Sequence, residues 1–233
     1  GIYTVTSSAT TPVDPELITM YEAGFKMKKR AFSLNAAAFY YNYSSLQITQ
    51  FTGAGQVTTN AASARVYGLD VDANIPVTPE FSLSAAVGYL PSAKYLKYQG
   101  AVVNIPDPAV PFGLITVSAD VSQRRMIRAP KLTVSVSPNY SHEFAAGKIS
   151  ASLTGYYNSG YAHEPLNRIG QGRYFLLNGT ISWVPAGSSI ELSLWARNLT
   201  NSAVKSGYVA SNTADWVVYD EPREIGVSAR VTF

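Results

Sequence analysis

Lys131-Leu132-Thr133-Val134-Ser135-Val136-Ser137-Pro138-Asn139-Tyr140 is the stretch that decides how this chain folds. Every even position is apolar and every odd one is polar. Successive side chains of a strand point to opposite faces, so this is a strand with one greasy and one hydrophilic side. Ser189–Arg197 repeats the pattern, with Ile190, Leu192, Leu194 and Ala196 opposed to Glu191, Ser193, Trp195 and Arg197. The last residues do so again, with Ile225, Val227, Ala229, Val231 and Phe233 on one face and Ser228, Arg230 and Thr232 on the other. Outward from these, Tyr21–Lys28, Tyr67–Ile75, Phe81–Tyr89, Ile149–Asn158 and Phe175–Trp183 alternate in the same way. Ala31–Gln47 is strand-like but less cleanly divided, because Phe39, Tyr40 and Tyr41 run together. The reading gives about nine strands, with an extra one possible at Ile2–Thr6, and no helical period.

The connections sort by length. Short turns sit at Lys28–Arg30, Pro76–Glu80, Ala145–Gly147 and Pro185–Ser188. Long polar loops sit at about Thr49–Asn60, Lys97–Arg128, Ser159–Gly172 and Asn201–Val218. Strict alternation places all short turns at one end of the sheet and all long loops at the other. That is the asymmetry of an up-and-down outer-membrane barrel, with short periplasmic turns and long extracellular loops. A β-sandwich has no reason to sort its loops so. The aromatics agree. Phe81 to Tyr89 spans about 26 Å along a strand, or roughly 20 Å once tilted, close to an apolar band bounded by aromatic girdles.

Charge falls on the other face. Glu22, Asp70, Asp72, Glu191, Arg197 and Arg230, with Lys26 and Lys131, all sit on the hydrophilic side, which lines the lumen of a barrel. Their mixed signs argue against a simple cation or anion pore. Arg65, at a strand's outer end, is the exception on the apolar side.

Composition narrows the classes. Charged residues are 14% and hydrophobic residues 46% of 233, well below soluble-domain charge density. No cysteine is present, which excludes a disulfide framework and thiolate metal sites. The net charge of +3 is scattered rather than striped, so nucleic acid is not an expected partner. No stretch reaches the roughly 20 apolar residues of a membrane helix, but closed barrels also satisfy their backbone within lipid. No export signal opens the sequence, so one is expected upstream of Gly1.

At this point the chain resembles the C-terminal barrel part of a TonB-dependent outer-membrane receptor. The matching stretches run in order through Pro15-Glu16, Tyr21-Glu22-Ala23-Gly24-Phe25-Lys26, Ala38-Phe39-Tyr40-Tyr41 and Asn60-Ala61 to Val66-Tyr67-Gly68-Leu69-Asp70. They continue with Arg128-Ala129-Pro130-Lys131, Arg197-Asn198-Leu199-Thr200-Asn201, Glu221-Pro222-Arg223, Gly226 and Phe233. Asp70 stands where the family usually carries Glu. The resemblance implies a barrel of about 22 strands around a plug, of which residues 1–233 would supply only the last nine or ten. Alone, such a piece does not transport. The resemblance further implies active uptake of a scarce ligand, such as a ferric siderophore, and coupling to TonB through the missing plug. It implies outer-membrane lipid as the surroundings, and Phe233 as the signal read by the barrel-assembly machinery.

Chemistry in the chain is sparse, and neither an enzyme nor a cofactor is expected. His142-Glu143 lies at a short turn and His163-Glu164 in a long loop. Ser159, His163 and Glu164 could be imagined as a triad, but adjacency in sequence supplies no triad geometry, and a metal there needs ligands from other loops. Gly53-Ala54-Gly55 and Gly170-Gln171-Gly172 lack a following helix and read as turn glycines. The ligand-contact candidates are Tyr95, Tyr98, Arg124, Arg125, Tyr161, Arg168, Arg173, Tyr174, Trp216 and Tyr219, at loops and the lumen mouth. Arg and Tyr suit anionic or aromatic chelates through charge-assisted bonds and stacking, although many such residues serve as belt or loop packing. Two other readings stay open: a complete small outer-membrane barrel acting as adhesin or passive pore, and a soluble β-sandwich carbohydrate-binding module.

Overall fold

Antiparallel hairpins follow one another along the whole chain. The computed structural model describes residues 12–29, 32–52, 55–211 and 213–232, so the Ile2–Thr6 segment and Phe233 lie outside the described residues. β1 (Leu17–Lys29) pairs with β2 (Phe32–Thr52), β2 with β3 (Gly55–Pro76), and β3 with β4 (Phe81–Tyr98). A loop then carries its own hairpin of β5 (Ala101–Pro106) and β6 (Leu114–Ala119) before the chain returns as β7 (Leu132–Phe144) and β8 (Gly147–Asn158). A two-residue ladder, β9 (Tyr161–Ala162) with β10 (Gly170–Gln171), precedes β11 (Tyr174–Pro185) and β12 (Ile190–Arg197). A last loop hairpin, β13 (Lys205–Ala210) with β14 (Asp215–Tyr219), leads into β15 (Glu224–Val231).

Nine of these strands form one sheet in the order β1-β2-β3-β4-β7-β8-β11-β12-β15, so neighbours in space are neighbours in the chain. The short turns at Pro76–Glu80, Ala145–Gly147 and Pro185–Ser188 gather at one end, as expected, while the turn expected at Lys28–Arg30 runs into residues outside the described ones. In one, the Thr78 hydroxyl accepts from the N–H groups of Glu80 and Phe81 at 3.2 and 3.0 Å. In another, Gly187 takes φ +70°, a conformation that glycine adopts without steric cost. The three small hairpins all stand at the opposite end.

Residues directly opposite in an antiparallel ladder share a face. Tyr21, Tyr40 and Tyr67 therefore form one row on the apolar side, and Glu22, Phe39 and Gly68 form a row on the other. This resolves the Phe39-Tyr40-Tyr41 run: Tyr40 stacks on Tyr67 outside, while Phe39 stacks on Tyr41 inside at 5.0 Å. Among the described residues the apolar side meets no second protein layer. Val227 is 82% exposed, and Ile181, Leu192 and Leu194 are open on the same face. A sheet face this greasy is stable only in an apolar solvent.

The protein-packed core lies elsewhere, at the loop end. Ala62, Ala64, Tyr95, Tyr98, Ala101, Val103 and Val121 bury one another where the far ends of β3 and β4 meet the β5–β6 hairpin.

The structure corrects the loop boundaries. The expected Thr49–Asn60 loop is mostly strand, paired from Gln47↔Asn60 to Thr52↔Gly55 beyond a bulge at Tyr43–Leu46. Lys97 and Tyr98 still belong to β4, and the other long loops carry ladders of their own. Above the apolar zone a strand meets water or the loop core, as where Gln50 accepts from the Val102 N–H at 2.6 Å, so no regular hydrophobic alternation is imposed and the period that marks a strand in sequence disappears.

Candidate ligand site at the loop end

The inward face and the loop assembly are the two places where polar side chains converge. On the inward face, the Tyr41 hydroxyl donates to Glu22 at 3.4 Å and the Asn35 amide donates to Asp72 at 2.7 Å. Asp70 lies in register between Ala37 and Gly88. Glu191 stands opposite Arg230, and Arg197 reaches Glu224 at 4.0 Å while its guanidinium lies 5.3 Å from the Trp195 ring. Glu191, Trp195, Arg197, Tyr219, Glu221 and Arg230 help line a hollow of about 840 Å³ open to the interior side. Trp195 covers Gly226 on the neighbouring strand, and a Cβ there would collide with the indole.

The Asn198-Leu199-Thr200-Asn201 stretch ties this face to the loops. Asn198, buried and at φ +46°, accepts from the Ser202 N–H and donates to the carbonyls of Ser202 and Glu221. Its own N–H donates to the Asn178 side chain at 2.8 Å. One small amide thus satisfies a turn that no regular ladder could.

The loops are knitted to each other by arginines. Arg124 donates to the Leu166 carbonyl at 2.7 Å, and Arg125 to the carbonyls of Ala129 and Leu90 at 2.6 and 2.8 Å. Arg168 makes a bidentate pair with Asp215 at 2.7 and 3.0 Å, and Tyr208 donates to the same carboxylate at 2.6 Å. The paired guanidinium holds the Asp215 carboxyl below its ordinary range, while burial and then the Asp215 bond raise the Tyr208 phenol. Tyr161 donates to the Lys205 carbonyl at 3.4 Å and packs edge-on to His163. Burial, with the nearby Arg128 charge, lowers His163, and its Nε2 is buried without a hydrogen-bond partner among the described residues.

These placements divide the sequence candidates. Tyr95 and Tyr98 are 3% and 2% exposed and belong to the packed base of the first long loop, so neither ring presents a surface to a ligand. Arg125 donates to loop carbonyls, and the terminal nitrogens of Arg168 go to Asp215 and Tyr208, its Nε being buried without a partner among the described residues. Tyr174 is half-buried, with its ring 6.1 Å from Tyr156. Arg124 and Arg173 are exposed, Trp216 is 63% exposed, and Tyr219 lines the interior hollow.

Glu164 caps its own loop, its carboxylate accepting from the N–H groups of Leu166, Arg168 and Ile169. Ser159 accepts from the Leu132 N–H. No hydrogen bond among the described residues joins Ser159, His163 and Glu164 into a relay. No group of three or more His, Cys, Asp or Glu residues is placed to hold a metal among the described residues. Sequence reasoning missed Tyr208 and Asp215, which lie 40 or more residues from Arg168 and carry no motif.

The architecture has close counterparts. The ferric yersiniabactin uptake receptor FyuA of Yersinia pestis superposes with a TM-score of 0.76 at 18% identity, over 94% of this chain and 30% of that one. The siderophore receptor PiuA of Acinetobacter baumannii does so at 0.70 and 17%, over 95% and 29%. BauA, the ferric preacinetobactin receptor of the same species, gives 0.69 and 15%, over 96% and 31%. The chain thus spans about 30% of the length of these receptors. Residues 1–199 match the family model described as TonB dependent receptor-like, beta-barrel. An uncovered apolar face, a polar interior face and loops sorted to one end agree with that match, and the chain belongs to the TonB-dependent receptor β-barrel family of the bacterial outer membrane.

Proposed function

We propose that residues 1–233 form the C-terminal barrel strands of a receptor that takes up a ferric siderophore or similar chelate, with TonB supplying energy through a plug in the whole protein. The observation that carries the reading is the arrangement of two exits from one wall: a mixed-charge interior face, and outer loops presenting exposed Arg124, Arg173 and Trp216. A chelate has an anionic periphery and flat aromatic or conjugated parts, which guanidinium and indole recognise together. The edge strands β1 and β15 supply a second support. Each is paired on one side only among the described residues, and a membrane does not tolerate an open edge, so in this reading further strands complete the wall. Barrel-assembly machinery and lipid would then be its other partners.

The test uses the intact receptor in its own outer membrane under iron limitation. Uptake of radiolabelled iron is measured with catecholate, hydroxamate and phenolate chelates in turn. One class should be taken up, and a paired Arg173→Ala and Trp216→Ala change should weaken its binding by about 2 kcal/mol or more. Uptake of none of the three, with the receptor correctly inserted, would refute the reading.

A further inference from the structure

The outward face has one feature that ligand uptake does not use. Arg65 lies on β3 with Tyr67 and Leu69 on the apolar side, opposite Lys94 on β4, and Lys94 in turn bridges to Arg125. Lys97 follows one bulge further along, opposite Ser63 on the same face. Four cations thus stand in a patch that points away from the lumen. Like charges opposite one another destabilise a ladder unless an anion lies between them. The described ion pairs, at Glu80, Glu143, Asp215 and Glu224, include none of the four.

The depth of the patch identifies the missing anion. Arg65 sits two residues beyond the stacked Tyr40–Tyr67 pair. That is about 7 Å along the strand and roughly 5 Å along the membrane normal at barrel tilt, just outside an interfacial aromatic belt. The side chain is held ready. Its guanidinium lies 5.6 Å from the Tyr40 ring and its Nε donates to Asn42 at 3.1 Å, which leaves the two terminal nitrogens free of hydrogen bonds among the described residues. Lys94 is steadied by Gln123 at 2.8 Å, and Lys97 is exposed. Long cationic side chains at this level reach up to head groups while their stems stay in the apolar zone.

We propose that Arg65, Lys94 and Lys97 bind the phosphates of phosphorylated glycolipid head groups in the outer leaflet, and so anchor this side of the wall to its surrounding lipid. Arg125 completes the field but is held by backbone carbonyls.

The test takes the intact receptor in detergent and titrates it with bisphosphorylated lipid A, with its dephosphorylated form, and with inorganic phosphate. Wild type should retain the bisphosphorylated lipid, and R65Q/K94Q/K97Q should bind it about a hundredfold more weakly. R65K/K94R/K97R should restore most of the loss. Equal binding by wild type and the glutamine variant would overturn the proposal. So would equal binding of the dephosphorylated lipid, or occupancy by inorganic phosphate at the same concentration, which would mark a free-anion site. Should the triple variant fail to fold, K97Q alone combined with salt titration of wild type decides. Loss of lipid binding with rising salt, steeper in wild type than in K97Q, supports the site, and salt-independent binding overturns it.

Discussion

The membrane wall and the loop assembly are held together by opposite physics. In the wall, each strand is fixed by ladder hydrogen bonds, and its apolar side chains touch no protein layer. At the loop end, Ala101 and Val121 are fully buried against Ala64 at the far end of β3, with arginines bonded to carbonyls around them. The wall takes its hydrophobic partner from the membrane, and the loops must make their own. A residue's tolerance to change therefore depends on which region it occupies more than on its hydrophobicity.

Four tests in the intact receptor probe this contrast, from strongest to weakest. Leu194→Arg places a charge on the lipid side and should destabilise insertion by about 2–4 kcal/mol near the midplane, whereas Ser193→Arg, one residue along on the interior face, should cost little. Urea unfolding from lipid vesicles measures both, and equal penalties would erase the distinction between the two faces. Val121→Ala removes two methyl groups from a fully buried site and should cost roughly 2 kcal/mol. The loss should appear as faster hydrogen exchange in the β5–β6 hairpin, with the wall unchanged.

Asp215→Asn breaks the bidentate pair to Arg168, whose side chains are both 23% exposed. The expected local loss is about 1 kcal/mol, read as increased exchange in Lys205–Tyr219 and in the Glu164–Gln171 segment it clasps. Acidification should act in the same place more weakly. His163 is depressed in the folded protein from an ordinary 6.5, so the unfolded loop binds more protons once pH falls below that value. Its contribution to stability is present above pH 6.5 and is lost below it. Asp215 is depressed too, and its contribution goes only below the ordinary carboxylate range. Once the intrinsic pH dependence of amide exchange is divided out, the protection factors of the loop should therefore fall from pH 7 to pH 5 and again below pH 4, and His163→Gln should remove the first fall alone.

The strands of the wall were legible because lipid on one side and water on the other impose a two-residue period. Leu132 to Tyr140 and Ile190 to Arg197 are assigned to faces by their alternation alone. The same reasoning failed at Thr49–Asn60, where the strands run on beyond the apolar zone and no two-sided solvent contrast imposes the alternation. Among the ligand candidates, Trp216 and Arg173 could be read as exposed loop residues. Tyr95 and Tyr98 could not be told from them, since a buried tyrosine in a polar loop looks the same in sequence as an exposed one.

Sequence by itself determined the two-faced sheet, its nine strands, the sorting of short and long connections, and the family. Each of these is a local pattern set by the solvent next to a strand. Only the tertiary structure decided that Arg168 clasps Asp215, that Glu164 caps its own loop, and that Arg65 and Lys94 stand side by side on the outward face. These pairings join residues tens of positions apart, and no local period encodes which distant strand or loop a side chain will meet.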